Sequence, residues 1–200
     1  MTSRTSCAIL IAVCASALAS CSAVIGGGGP RQPMTNVADK PFASGGSIEI
    51  HLDGGSYKIR PTADDHIRVA FGGNVGGATV ELTADGTHAN VGVKGTPHSN
   101  FEANLEVPKT SNLVIRLAAG NFEMDAITGS KDFDSGAGNA EIAVGNANDY
   151  SSVDASVQVG NLSGGPFGEA HGTLAKDLTW SGKGTYTLRA KLGAGNLELK

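Results

Sequence analysis

Five carboxylates in the middle of the chain are the residues best placed, by type and spacing, to do acid–base chemistry. Paired carboxylates cleave glycosidic bonds when the pKa of one partner is raised and a cleft holds the sugar. Each of these acids, however, takes the outward position of an alternating pattern, where a solvated charge is the default. Only 5% of the chain is aromatic, so stacking platforms for sugars are scarce, and we expect no enzyme activity. The five are Glu123, Asp125, Asp132, Asp134 and Glu141.

The other residues with chemical potential form no recognisable site. Residues 132–136 begin like a calcium loop, but Ala143 replaces the acid at the twelfth position, so we expect a turn there. The glycine run at 72–77 opens no helix, which argues against a dinucleotide site. Ser56 and Ser135 lack the context of a hydrolase nucleophile. We expect neither a metal nor a cofactor, because no two histidines stand at metal-ligand spacing; they are His51, His66, His88, His98 and His171.

The N-terminal segment predicts export and a lipid anchor. Arg4 precedes an apolar run over 7–18, the pattern of a secretory signal. The tetrad Leu18-Ala19-Ser20-Cys21 then resembles the lipobox of bacterial lipoproteins. The resemblance implies cleavage before Cys21, a diacylglyceryl group on its thiol, and acylation of its new amine, for example by palmitate. Ser22, the residue after the predicted acylated cysteine, favours sorting to the outer membrane. The alternatives to a lipoprotein signal are an ordinary signal peptide and an uncleaved signal anchor.

Cleavage at this point would leave 180 residues, enough for one large domain. We expect a signal peptide over 1–20, an acylated and flexible Gly/Pro tether over 21–44, and one domain over 45–200. The mature chain would carry 14 basic against 19 acidic residues, which argues against a nucleic-acid partner. Contact with the membrane would come from the lipid on Cys21, and the single remaining cysteine permits no disulfide within the chain.

From Ser47 onward, apolar and polar residues alternate with a period of two. The alternation is typical of half-buried strands, and no window past residue 40 keeps a helical spacing with caps. The sequence therefore predicts an all-β domain. Clear examples are Ile48 to Leu52, Leu113 to Leu117, Val153 to Val159 and Tyr186 to Leu192.

A six-residue unit recurs along the second half of the chain. Ala119-Gly120-Asn121-Phe122-Glu123-Met124 returns over 137–142 and 194–199, with a degenerate copy at 159–162. The first glycine intervals are 18 and 22 residues, suitable for one coil of a β-solenoid. The third interval is 35 residues, so we expect a longer excursion around 164–184. We predict a parallel β-solenoid with short strands, and an antiparallel β-sandwich is the alternative.

Gly-Asn pairs would form the corners of such a fold. Glycine accepts positive φ without steric cost, and asparagine is the next most tolerant residue. Asparagines stacked at one corner could also hydrogen-bond from one coil to the next. The predicted corner residues are Gly120, Asn121, Gly138, Asn139, Gly160, Asn161, Gly195 and Asn196.

The segments Leu105–Pro108 and Leu113–Asn121, followed by the repeated units, resemble the bacterial putative-adhesin domains of unknown function. The closing stretch from Trp180 to Asn196 is similar to the last repeat of such proteins. The resemblance covers residues 100–200 well and 45–99 loosely. It implies an exported β-solenoid that is named adhesin by analogy alone, and it implies no catalytic residues.

These observations together predict a lipid-anchored envelope protein that presents a β-solenoid surface for adhesion, scaffolding or protein interaction. The alternative is a solenoid that binds or modifies polysaccharide, and a periplasmic ligand carrier would need a large apolar cavity. We expect the C-terminal repeat to form one end of the stack, with Trp180 largely buried near that end.

Overall fold

The computed structural model describes residues 32–200, so Cys21 and the rest of 1–31 lie outside the described residues. This range has no α-helix, which confirms the all-β prediction, and none of its helical segments is long and apolar enough to cross a bilayer. One-turn 3₁₀ helices span Ala147–Asp149 and Gly165–Phe167. The strands are β1 (Gln32–Pro41), β2 (Ser47–Leu52), β3 (Gly55–Thr62), β4 (His66–Gly73), β5 (Thr79–Ala84), β6 (His88–Lys94), β7 (Phe101–Pro108), β8 (Asn112–Met124), β9 (Lys131–Ile142), β10 (Tyr150–Ser163), β11 (Lys176–Ser181) and β12 (Tyr186–Leu199).

The long strands β8, β9, β10 and β12 each have two arms. In β8 the buried residues run Leu113, Ile115, Leu117 before the Gly-Asn pair and Phe122, Met124 after it, so the alternation changes phase there. We call the residues before the pair the first arm and those after it the second arm. Because both arms bury one face in the same apolar cluster, the core lies between them.

The two arms continue into different neighbouring strands. Along the first arm the order is β5-β6-β2-β8-β9-β12-β10-β11. Along the second arm it is β1-β4-β7-β3-β8-β9-β12-β10. The long strands pair in parallel, whereas β1–β4, β4–β7, β5–β6 and β10–β11 pair antiparallel. The domain is therefore a mixed sheet, parallel at the repeats and antiparallel at its margins.

The copied units stack directly on one another. Gly120 pairs with Gly138, Gly138 with Gly195, and Gly195 with Gly160. Side chains at both positions flanking each unit's glutamate are buried, and Glu123, Glu141 and Glu198 point away from the core, as the period of two predicts. The buried residues are Phe122, Met124, Ala140, Ile142, Leu197 and Leu199.

The position of the last strand corrects one prediction. Strand β12 does not form an end of the stack but lies between β9 and β10, parallel to both. The excursion over 164–185 explains how this happens, because it holds the 3₁₀ turn and β11, which covers the far side of β10. The chain then returns through 182–185, where Thr185 N donates to Asp149 O at 2.8 Å.

Trp180 is half-buried rather than largely buried. Its ring packs on Phe167, with 5.1 Å between ring centroids, and Phe167 in turn packs on Tyr150 at 5.7 Å. Strand β11, which carries Trp180, pairs with β10 and otherwise makes only an isolated bridge between Asp177 and His171, so it is a margin strand.

Strand β1 lies inside the segment predicted as a flexible tether, so residues 32–41 of that segment form a strand. It pairs antiparallel with the edge of β4, and register shifts between Gln32 and Thr35 and between Asn36 and Ala38 accommodate the strand. Almost every residue of β1 is exposed, which explains why the alternation of apolar residues missed it.

Candidate functional site

At the Gly-Asn corners, neighbouring strands lie too close together for a side chain to fit between them. At Gly138, φ is 134°, and an added Cβ would lie 1.7 Å from the carbonyl oxygen of Gly120. Neither the conformation nor the space admits another residue. The corners therefore fix the register of the second arm, whose outer face carries the candidate site.

Asparagine side chains form a continuous ladder along this face. Asn161 Nδ2 donates to Asn196 Oδ1 at 2.9 Å. Asn196 Nδ2 donates to Asn139 Oδ1 at 2.7 Å, and Asn139 Nδ2 donates to Asn121 Oδ1 at 3.1 Å. Asn161, Asn196 and Asn139 each use one N–H in the ladder and keep a second N–H for another acceptor, whereas Asn121 only accepts. The ladder is thus a row of exposed donors and acceptors repeated at the strand spacing of about 4.8 Å.

A row of glutamates runs beside the ladder. Glu123, Glu141 and Glu198 occupy equivalent positions in β8, β9 and β12. Lys58 contacts Glu123 and Lys200 contacts Glu141, and the Lys58 ammonium lowers the pKa of the Glu123 carboxyl. Within residues 32–200 no cationic side chain forms an ion pair with Glu198. The row therefore presents one carboxylate that is open to a ligand.

The two rows line a shallow groove of about 390 Å³. The sheet forms the floor of the groove, and Met34 of β1 forms its rim. Met34 packs over Gly72, where an added Cβ would lie 2.8 Å from the Met34 sulfur. The aromatic residues at the groove, Tyr57 and Phe122, are buried in the core. Recognition here would therefore use amides and carboxylates rather than aromatic stacking.

The structure separates the five acids that suggested acid–base chemistry. Glu123 and Glu141 lie in the groove, with Asp125 3.7 Å from Lys58 at one side. Asp132 and Asp134 lie on the outer face of the first arm, where Arg116 Nη1 donates to Asp132 Oδ1 at 2.8 Å. Residues 132–136 are part of β9, so the predicted turn is wrong: Phe133 and Ser135 take inward positions of the strand.

The histidines are scattered over the surface. His51 lies 2.8 Å from Glu49, and His66 lies 2.6 Å from Asp39. Within the described range, no three histidine, cysteine or acidic side chains are grouped as metal ligands.

Sequence reasoning missed a buried lysine. Lys131 opens β9 at an inward position and is only 2% exposed. Its Nζ donates to Tyr150 Oη at 2.6 Å and to Gly129 O at 3.0 Å. Burial lowers the pKa of Lys131 to about 8 and raises that of Tyr150 to about 12. The alternation of inward and outward residues could have identified this lysine, because Lys131 lies two residues before the buried Phe133 and so on the same face of β9.

Comparisons with known proteins bear on the fold. No family model and no curated protein matches the chain. Among solved structures, a protein of Clostridium sporogenes described as a putative cell adhesion protein aligns with a TM-score of 0.52 and 12% identity, over 84% of this chain and 100% of that one. A putative adhesin from Parabacteroides distasonis aligns over 84% of this chain and 70% of its own, at 11% identity, but its TM-score of 0.25 is too low to support an argument. The chain is thus similar in fold to a protein described as an adhesion protein.

Proposed function

We propose that this protein is a non-catalytic interaction module of the bacterial envelope, lipid-anchored through Cys21, whose four central strands are coils of a short solenoid. The outer-membrane location remains part of this proposal, which rests on the lipobox resemblance. The single observation that carries the binding role is the groove, because its asparagine ladder and glutamate row offer in-register hydrogen-bonding groups at the surface. The adhesion protein of similar fold is compatible with such a role.

A non-catalytic role fits the charge state of the groove. A glycosidase needs one carboxyl group whose pKa is raised so that it can donate a proton. Lys58 instead lowers the pKa of Glu123, and Lys200 contacts Glu141. Glu123 is thereby held in the ionised form, which suits recognition of donor groups on a ligand.

Polysaccharide binding is the second candidate for the same groove. The spare N–H groups of Asn121, Asn139 and Asn196 and the carboxylate of Glu198 could alternate along a chain of sugar hydroxyls. A glycan would lie across the strands, because the asparagine and glutamate rows run in that direction.

The test is capture of envelope fragments on the immobilised protein, with Glu198→Ala and Asp134→Ala as matched variants. Both replace an exposed outward acid, but Asp134 lies on the first arm. We expect Glu198→Ala to weaken capture by about tenfold, since it removes a hydrogen-bonding charge, and Asp134→Ala to leave it unchanged. Thermal unfolding should be equal in both.

Pretreatment of the fragments separates the two ligand classes. Loss of capture after protease treatment supports a protein partner, and loss after periodate oxidation supports a glycan. Equal capture by the parent protein and both variants would contradict the groove as the binding site.

A further inference from the structure

We propose that this protein has a second binding site, a cavity that takes a single neutral sugar residue beside the end of the asparagine ladder. The cavity lies between the Gly54-Gly55 corner, where the chain turns from β2 into β3, and the loop of residues 95–100, which connects β6 to β7. It shares only Ser56 and Asn121 with the groove, so the inference does not depend on what the groove binds. Its volume of about 560 Å³ lies within the usual range of small-molecule sites.

The cavity opens where the column of corners changes its residue type. Strand β3 continues the column, because Gly55 pairs with Gly120 and Ser56 pairs with Asn121. Ser56 thus stands where a further asparagine would extend the ladder, but its shorter side chain makes no hydrogen bond within residues 32–200. Asn121 accepts from Asn139, and neither of its own side-chain N–H groups has an acceptor in the described range. The end of the ladder therefore leaves two donors and a hydroxyl at the mouth of the cavity.

Hydrogen bonds hold the 95–100 loop in place over the corner. Asp53 Oδ2 accepts from the backbone N–H that opens the loop, at 2.8 Å, and Thr96 Oγ1 donates to a carbonyl of the Gly54-Gly55 corner at 2.6 Å. At the other end of the loop, the carbonyl of Asn100 accepts from the turn after β4 at 2.7 Å. Because the loop is fixed at both ends, a ligand would not have to order it, which lowers the entropic cost of binding.

Polar groups that line the cavity lack partners among residues 32–200. They are the side chains of His98, Ser99 and Asn100 and the second carboxylate oxygen of Asp53. Asn100 is also the only residue other than glycine with a positive φ, 59°, in the described range. Together with the groups at the end of the ladder, these side chains offer donors and acceptors on several sides of one space. Sugar hydroxyls both donate and accept, so they can use such a set.

A buried hydroxyl without a partner lies beside the same cavity. Tyr57 is 2% exposed, and its Oη has no partner at hydrogen-bonding geometry within the described residues. Its ring lies below the corner, since an added Cβ on Gly55 would be 3.5 Å from the Tyr57 Cζ. Burial raises the pKa of this hydroxyl, Asp53 raises it further, and the nearby Thr96 opposes the shift in part. Asp53 and Thr96 both line the cavity. Because buried polar groups are nearly always hydrogen-bonded, we infer that a ligand, or a water held by it, supplies the missing partner.

The lining of the cavity favours a neutral sugar over other ligands. Within the described range no lysine or arginine lines it, so a phosphate or carboxylate would find no countercharge. Its one carboxylate, Asp53, already accepts from the loop, which makes a poor site for a cation. Pro97, Ala118 and Ala119 provide small apolar contacts for the C–H face of a sugar ring. An extended peptide would need a free strand edge, whereas β3 already pairs with β7 and β8.

Saturation-transfer difference NMR on the full chain, in a detergent without sugar groups, tests the site. The probes are glucose, galactose, mannose and N-acetylglucosamine, and an array of neutral glycans extends the panel. We expect at least one neutral sugar to give a saturable signal. The uronic acid of each sugar that binds serves as its charged counterpart and should bind about fivefold more weakly or worse, because it meets Asp53 without a countercharge.

Variants locate the sugar in the cavity. Asn100→Gly removes the amide and keeps a residue suited to a positive φ, so thermal unfolding should not change. Ser56→Asn places a larger side chain at the cavity mouth. We expect each variant to weaken sugar binding by about fivefold or more. Glu198→Ala is the matched control, since it changes the groove alone, and it should bind sugar like the parent protein.

Three results would overturn the proposal. They are no saturable signal from any neutral sugar or glycan, uronic acids that bind as tightly as the neutral sugars, and Asn100→Gly that binds like the parent. Loss of sugar binding in Glu198→Ala alone would place the sugar in the groove and would also overturn it.

Discussion

Lys131 is a buried residue whose charged form destabilises the folded state. Its ammonium group gives up water for one hydroxyl and one carbonyl partner, with no carboxylate in hydrogen-bonding contact. Burial is the main cause of its lowered pKa, and Asp149 opposes that shift only in part. The charged form is therefore disfavoured in the folded state and unpenalised in the unfolded state.

The free energy of unfolding should therefore rise between pH 8 and pH 10. In this range the unfolded chain binds more protons at position 131 than the folded chain does, because the folded pKa is about 8 and the ordinary value is 10.5. The full gain is about 3 kcal/mol. Above about pH 10 the raised pKa values of Tyr57 and Tyr150 act in the opposite direction.

Denaturant unfolding followed by Trp180 fluorescence at several pH values measures this effect. The control is Lys131→Met, an unbranched substitution of similar length, which should remove most of the rise over the same range. Parallel curves for the two proteins would show that Lys131 is not the source of the pH dependence.

At the scale of the element, the Gly-Asn corners decide how the long strands stack. Strand β9 can approach β8 only because position 138 has no side chain, and the same contact recurs where β12 meets β9 and β10. An alanine at one corner would push two strands apart and break the asparagine ladder above it.

Gly138→Ala should therefore destabilise the domain by more than about 4 kcal/mol or prevent its folding. Gly86→Ala is the matched control, because Gly86 also has a positive φ, 75°, but an added Cβ there meets nothing within 4 Å. Gly86→Ala should lower the free energy of unfolding only by the cost of placing alanine in that backbone conformation, about 1–2 kcal/mol. Thermal unfolding by circular dichroism measures both, and equal losses would mean that the corner tolerates a side chain.

At the scale of the whole molecule, the proposed N-terminal anchor would determine how the protein is presented. The groove lies on the outer face of the second arm, and its Met34 rim is in β1, the strand that continues from residues 1–31.

Anchoring predicts that Cys21→Ala releases the domain from the membrane fraction or leaves an uncleaved precursor. Two or three acyl chains hold a protein firmly on a bilayer, and no other anchor is proposed for this chain. Cell fractionation checks the location, and mass spectrometry of the mature N-terminus should find acylated Cys21. Cys14→Ala, within the predicted signal peptide, serves as the control. An unmodified terminus at Ser22 or Val24 would contradict the anchor.

Local patterns of residues were enough to predict the strands and the corners. The period of two identified strands such as Ile48 to Leu52 and the outward glutamates, because successive side chains of a strand point to opposite faces whatever the strand pairs with. The repeated Gly-Asn pairs identified the corners and the possibility of a ladder, because few other residues fit that backbone.

The order of the strands in the sheet, by contrast, depends on contacts between segments that are distant in the chain. The copied units present nearly the same backbone edge and the same asparagine, so any two could pair, and their order along the chain does not give their order in the sheet. Strand β12 lies between β9 and β10 because the excursion over 164–185 carries the chain around β10. The exposed strand β1 and the groove likewise depend on which strands meet. Pairing between distant segments, and not local preference, assembled the surface on which the proposed function rests.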